Sequence, residues 1–377
     1  MSSEIRYPDY DRSLLALTAS VLKYYGVCDY GHTTLPEMDS LLGQGADRVI
    51  VIVLSGMGTA NLNRHLSETD FLRANKVCDL SAVFPSSTAA ACATLQSGES
   101  PLEHSWLGRD LYFPEVDRNI SLFCNRVQGT RKKAANYNVP LKYIPYRPLS
   151  DRIREADSLV ETHFLSHREG ERVWSFRQAM QRIRKIASGS GKKYICLFWD
   201  EPDLEMYTFG AASGKAHNRI RFLNREIEKL SGDLSDSLVV VTSDHGMIDT
   251  HWIYLEDYPH LAGLLERAPS VEPRAAALYI RQGRKLEFEE VFRDLFGSDF
   301  LLLSREEVLD RGLLGSGHPG EKTYSIIGDY LAVAVGDVSL GWKRRKREKK
   351  KIGSYAGLTA EEMTVPFIAC TKNKTFR

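Results

Sequence analysis

The sequence predicts an α/β fold, a mostly parallel sheet sandwiched by helices. Three runs carry that reading: Arg48–Leu54 (RVIVIVL), Lys193–Trp199 (KYICLFW) and Ser237–Thr242 (SLVVVT) are almost continuously apolar. A strand buried on both faces of a parallel sheet looks like this, because neither face meets water. Each run also ends in small or polar residues: Ser55-Gly56-Met57-Gly58, Asp200-Glu201-Pro202-Asp203 and Ser243-Asp244-His245-Gly246. Strand, glycine turn and helix in succession form an α/β unit with a site at the strand's C-terminal end. With 377 residues, 43% hydrophobic and 26% charged, the chain is long enough to bury a large core, as one domain spanning 1–377.

Leu14 to Tyr25 reads as a helix, with Leu14, Leu17, Val21 and Leu22 on one face. After the first buried strand, Thr59 to Leu66 looks helical. Residues 82–91 (AVFPSSTAAA) run into a small-residue helix, Ala89 to Leu95, and Glu103 to Gly108 (EHSWLG) reads as a loop. Residues 110–190, rich in Arg, Asn and Pro, lack clear strand periodicity and are expected to form a cap insertion. Pro202 stops the second buried strand. Ala216 to Leu230 is amphipathic, with Ile220, Leu223, Ile227 and Leu230 inward. Residues 250–320 form a second expected cap insertion over the strand ends. Leu331 to Val335 and Val365 to Ala369 read as late strands.

Composition narrows the classes of function. A formal net charge of +1 gives no global attraction to nucleic acid or membrane. The 6 cysteines are scattered, with no CxxC and no zinc-knuckle spacing. That usage suits a reducing compartment. The N-terminus has no apolar leader and no run approaches ~18 apolar residues, so a cytoplasmic chain without a membrane span is expected.

Ser86, Ser87 and Thr88 fall at a predicted helix N-terminus, where free N–H groups and the dipole favour an anion such as phosphate. A hydroxyl there serves as helix cap or as nucleophile. Asp244-His245 at a strand end, with Asp203 at the neighbouring one, supplies the ligand types that divalent metals take when they activate water. Together these groups point to metal-assisted phosphoryl transfer.

The motifs VIVLSGMG (51–58), FPSSTAAACATLQSG (84–98), EHSWLG (103–108), WDEPDLEMYTFG (199–210), VVVTSDHGMID (239–249) and YAGLTAEEMTVPFI (355–368) run through almost the whole chain in order. In them the sequence resembles the alkaline phosphatase superfamily, in the branch of type I phosphodiesterases and nucleotide pyrophosphatases. The resemblance implies hydrolysis of a phosphoester by a nucleophilic Thr88, assisted by two zinc or related divalent ions roughly 4 Å apart. It assigns one ion to position 55, Thr88, Asp244 and His245. It assigns the other to Asp203 and to positions 207 and 355.

Three of those positions depart from the family pattern. Ser55 stands where the family has Asp, and Tyr207 and Tyr355 stand where it has His. A neutral phenol, with a pKa near 10, ligates zinc poorly at neutral pH. The metal site is therefore expected to be degenerate, with at most one ion held well and phosphoester hydrolysis weakened or lost. The expected ligand remains a phosphorylated small molecule or nucleotide, with Arg109 and Arg274 as candidate phosphate contacts. The alternative is a non-catalytic module that binds phosphate or nucleic acid through the basic run 343–351, with Trp342 beside it.

Overall fold

The computed structural model describes residues 4–168, 170–344 and 351–372. Its centre is a seven-stranded sheet ordered Lys76–Ser81, Thr364–Lys372, Ser237–Thr242, Arg48–Leu54, Lys193–Trp199, Glu161–Ser166, Glu171–Arg172. Arg48–Leu54 pairs in parallel with both neighbours, Val51 lying opposite Cys196 on one side and Val240 on the other. Only Thr364–Lys372 runs against its neighbours.

Successive side chains of a strand point to opposite faces. Val49, Val51 and Val53 accordingly enter one core cluster, with Leu14, Leu17 and Val21 of the Leu14–Tyr24 helix and Ala89–Ala91 of the Thr88–Ser97 helix. Ile50, Ile52 and Leu54 enter the other, with Met180 and Ile183 of Phe176–Ala187 and Ile220, Leu223 and Ile227 of Gly214–Asp233. Both faces are dry, as the apolar runs require.

A second, antiparallel seven-stranded sheet is assembled from distant parts of the chain. Its order is Phe300–Ser304, Tyr330–Ala334, Ala275–Leu278, Ser270–Glu272, Asp110–Phe113, Arg118–Ser121, Arg126–Val127. One face packs on Phe288, Phe292 and Phe296 of the Lys285–Phe296 helix. The other face, through Ala275, Ala277, Leu331 and Val333, joins the first core cluster.

The expected cap boundaries need correction. Residues 110–190 do not lie wholly outside the main sheet, because Glu161–Ser166 pairs in parallel with Lys193–Trp199 and Phe176–Ala187 packs beneath it. The stretch 250–320 likewise stops short of its own sheet, which takes in the late strand Tyr330–Ala334. The expected loop 103–108 begins inside a short helix, Pro101–His104, which Ser100 and Glu103 close with a reciprocal capping box. Among the described residues no helix is long and apolar enough to cross a membrane.

Arg274 is corrected from candidate phosphate contact to structural tie. Its guanidinium meets the Glu362 carboxylate through two bonds of 2.7 Å and also donates to the carbonyls of Gly336 and Val338. Four of its five N–H donors are thus engaged, and Arg274 and Glu362 are both 0% exposed, out of reach of a ligand.

Candidate active site at the strand ends

The cap of the Thr88–Ser97 helix is Ser87 rather than Thr88. Ser87 has extended backbone and its hydroxyl accepts from Ala90 N–H at 3.3 Å, so Ser87 is the cap. Thr88 is then left to face inward. Its Oγ1 lies 3.3 Å from His245 Nε2 and 3.4 Å from Ser55 Oγ.

Two glycines let the strand ends close on one another. Gly56 has φ +79°, and a Cβ there would sit 3.0 Å from the Asp203 Cα. A Cβ on Gly246 would fall 1.8 Å from the Glu361 carbonyl oxygen. With both in place, Asp203 N–H donates to the Ser55 carbonyl at 2.8 Å, and Gly246 N–H to that of Glu362 at 2.8 Å.

Asp244 is fully buried and well provided with donors. Its Oδ2 accepts from the Ser55 hydroxyl at 2.8 Å, and its Oδ1 from the backbone N–H groups of Gly56 and His245, each at 2.9 Å. His245 places Nδ1 2.9 Å from the Gly246 carbonyl. A carbonyl only accepts, so in the neutral ring Nδ1 carries the proton and Nε2 is an acceptor facing the Thr88 hydroxyl. The imidazole stacks on the Tyr355 ring at 3.9 Å between centroids and 23° between planes.

Asp203 opens the Asp203–Phe209 helix in quite different surroundings. Its Oδ1 is buried and has no hydrogen-bond partner among the described residues. Burial, reinforced by Asp244 and Asp200, pushes its carboxyl up to about 7 against the pull of His245 and Arg168. The two phenols beside it are absorbed into packing. Tyr207 and Tyr355 both lie against the cluster of Met206, Ala211, Ala216 and Met247. Burial raises the Tyr355 phenol well above its ordinary value, so it stays neutral.

These donors do not fit a two-ion centre. Among the described residues no group of three or more His, Cys, Asp or Glu side chains is placed to hold a metal ion. On the Asp244 side, the Ser55 hydroxyl proton satisfies the carboxylate oxygen that a cation would share. On the Asp203 side, the other two expected ligand positions are Tyr207 and Tyr355, both packed against Met206 and Met247.

Arg109 keeps its side chain 42% exposed and reaches Asp110 Oδ2 at 3.3 Å. Against the cost of desolvation, the neighbouring carboxyls of Glu272 and Asp110 raise its pKa above the ordinary value. Arg168 is the residue that sequence reasoning missed. Its Nε lies 3.1 Å from Asp200 Oδ2, its guanidinium covers the Phe123 ring at 5.2 Å, and it lines a pocket with Thr88, Phe164 and Phe198. The available signal was ETHFLS at 161–166, a short strand whose C-terminal end comes two residues before Arg168. In the basic run, residues 345–350 lie outside the described residues. Arg344 is paired with Asp257, and Lys343 and Lys351 lie near the rings of Trp342 and Trp252.

A largely parallel sheet carrying a helix-start threonine, with an Asp-His pair at the adjoining strand end, defines a phosphoester hydrolase-like protein of the alkaline phosphatase type. The chain belongs to the type I phosphodiesterase / nucleotide pyrophosphatase family, whose model matches residues 49–353. Among solved structures, murine ectonucleotide pyrophosphatase / phosphodiesterase 5 superposes with a TM-score of 0.65 at 18% identity, covering 87% of this chain and 89% of that one. An inactive variant of that murine protein in complex with AMP gives the same TM-score of 0.65 at 18% identity, over 87% and 88%. Phosphonoacetate hydrolase from Sinorhizobium meliloti 1021, in complex with phosphonoformate, gives 0.63 at 16% identity, over 87% and 90%. At these identities the likeness is one of fold. No curated protein matches the sequence.

Proposed function

We propose that this protein binds a phosphorylated small molecule or nucleotide in the Thr88 pocket and that its phosphoester hydrolysis is weakened or lost. The observation that carries this reading is the Asp203 side of the site, where Oδ1 of the carboxyl has no hydrogen-bond partner among the described residues and the other two expected ligand positions, Tyr207 and Tyr355, are taken up in packing. What favours phosphate is the rest of the pocket. The Thr88–Ser97 helix turns its N-terminus toward the site, and Arg168 supplies a cation on the pocket wall. Residual turnover would run through Thr88, whose hydroxyl faces the acceptor nitrogen of His245.

The test combines elemental analysis of the purified protein with calorimetric binding of AMP and inorganic phosphate. Phosphodiester turnover is measured with and without added Zn²⁺ or Mn²⁺. We expect binding, fewer than two ions per chain and slow turnover. Two tightly held ions together with fast, Thr88-dependent turnover would overturn the reading, as would failure to bind either ligand.

A second reading, nucleic-acid binding through 343–351, is favoured by Lys343 beside Trp342 and Lys351 over Trp252. It requires salt-sensitive binding of single-stranded RNA that is lost when the basic run is neutralised.

A further inference from the structure

Phe300–Ser304 (FLLLS) is an outermost strand of the antiparallel sheet, paired on one side only, with Tyr330–Ala334. Its outer side lines a groove of about 500 Å³. Arg293 and Gly297, at the end of the Lys285–Phe296 helix, form one wall. Glu307 of the Arg305–Asp310 helix and Arg311 just beyond it form the other. Natural sheet edges are usually blunted by charge, proline or a bulge. This strand has no charged residue, no proline and an unbroken register.

The pairing shows which backbone groups face the groove. In an antiparallel pair, hydrogen bonds join every second residue pair. Val335 N–H donates to the Asp299 carbonyl at 2.8 Å, so the bonded pairs that follow are Leu301 with Val333 and Leu303 with Leu331. Ala334, opposite Phe300, instead donates its N–H to the Arg274 carbonyl on its other side, at 2.8 Å. Phe300 and Leu302 therefore turn N–H and C=O outward, and these groups have no partner among the described residues. Both residues are buried, so the bonds are poorly supplied by water and costly to leave unmade.

The walls decide what can make them. A helix packs on each face of this edge: Phe300 and Leu302 join Phe292 and Phe296 in one cluster, and Leu303 joins Val308 in another. A second copy would bring its own two helices against these. Its symmetric pairing about Leu302 would also need the Ser304 N–H, which already donates to Glu307 Oε2 at 2.8 Å. A single extended peptide meets neither obstacle. The walls also select charge. The Arg293 and Arg311 side chains are 59% and 43% exposed. Their acid partners are shared: Glu289, 3.3 Å from Arg293, also accepts from the Tyr330 hydroxyl, and Glu307, 3.7 Å from Arg311, accepts from Ser304. Exposed pairs of this kind are weak and exchange readily for another carboxylate.

We propose that this groove docks an extended acidic segment of another protein, added to the sheet edge as a further strand. Its backbone bonds to Phe300 and Leu302, and its carboxylates meet Arg293 and Arg311. Two strands separate the groove from Ser270–Glu272, where Glu272 accepts the Arg109 N–H, so the docked segment lies apart from the Thr88 pocket.

The full-length protein is titrated with a capped, dye-labelled peptide of alternating glutamate and valine, followed by fluorescence anisotropy. Amide hydrogen exchange is measured across 299–304 with and without the peptide. The controls are the same peptide with its backbone amides methylated, and one with lysine in place of glutamate. We expect the glutamate peptide to bind and to slow exchange at Phe300 and Leu302 at least tenfold. Leu301 and Leu303, already bonded to Tyr330–Ala334, should change little. Methylation of the peptide, and the double substitution Arg293→Glu/Arg311→Glu, should each cost at least tenfold in affinity. Both arginines face solvent, and thermal denaturation checks that the substituted chain is folded. The proposal fails if the glutamate peptide does not bind, if either control binds as well, or if exchange at Phe300 and Leu302 ignores saturating peptide. A dimer in sedimentation velocity that Leu301→Lys dissociates would give the edge to a second copy and overturn it too.

Discussion

Asp244 and Asp203 follow the two strands that flank Arg48–Leu54, and the same departure from the family pattern has left them in opposite states. Around Asp244 one expected ligand is exchanged, Asp for Ser55, and the new hydroxyl donates back to the carboxylate at 2.8 Å. Two backbone N–H groups complete the set. Around Asp203 two ligands are exchanged for phenols, which turn to apolar packing and leave Oδ1 bare. The Ser55 hydroxyl meets the neighbouring carboxylate by hydrogen bonding, whereas the Tyr207 and Tyr355 rings fill volume and leave Asp203 Oδ1 without a partner among the described residues. Burial then raises the Asp203 carboxyl to about 7, which moderates the cost of holding it there.

The sharpest way to break this comparison is to reverse it. Ser55→Asp with Tyr207→His and Tyr355→His should restore two ions per chain by elemental analysis. Zn²⁺-dependent phosphodiester turnover should then rise on the order of a hundredfold or more. If ions bind and turnover stays flat, the pocket beyond the ligands has changed as well. Next in size, Asp244→Ala strands the Ser55 hydroxyl and two buried N–H groups and should destabilise by about 3 kcal/mol in urea unfolding. Asp203→Asn, which relieves an unsatisfied carboxyl, should be neutral or stabilising by roughly 1 kcal/mol. Equal losses for both would erase the asymmetry. Arg168→Ala should weaken inorganic phosphate binding about tenfold, near 1.4 kcal/mol, with little change in urea midpoint.

The smallest effect concerns a third carboxyl, Glu272, whose burial is answered by Arg109. Burial pushes it to about 7, so the native state holds its proton more firmly than the unfolded chain does. Its stabilising contribution is complete below the ordinary carboxylate range and is lost as pH rises to and through about 7. The Glu272→Gln variant should lack this slope. The wild-type urea midpoint should fall more than the variant's between pH 5 and pH 8.

How much of this is legible beforehand depends on whether a signal is local. Arg48–Leu54, Lys193–Trp199 and Ser237–Thr242 are read to the residue, because burial on both faces leaves no polar position to blur them. Glu161–Ser166 is half exposed near the sheet edge, so its pattern is weak and Arg168 goes unseen with it. Tyr330–Ala334 is recognisable as a strand but not its sheet, since its partners at 275–278 and 300–304 are set by tertiary pairing. Thr88, Asp203, Asp244, His245, Ser55, Tyr207 and Tyr355 do converge at the strand ends. Arg274 could not be placed from its neighbours, because its partner Glu362 is 88 residues away.

The position of Thr364–Lys372 between Lys76–Ser81 and Ser237–Thr242 has a consequence for synthesis. Until the ribosome has released that stretch, the sheet is in two parts, with two hydrogen-bonding edges open and no strand to join them. The sheet is therefore completed only once that strand has been made, and a nascent chain stalled short of residue 364 should lean on chaperones or self-associate.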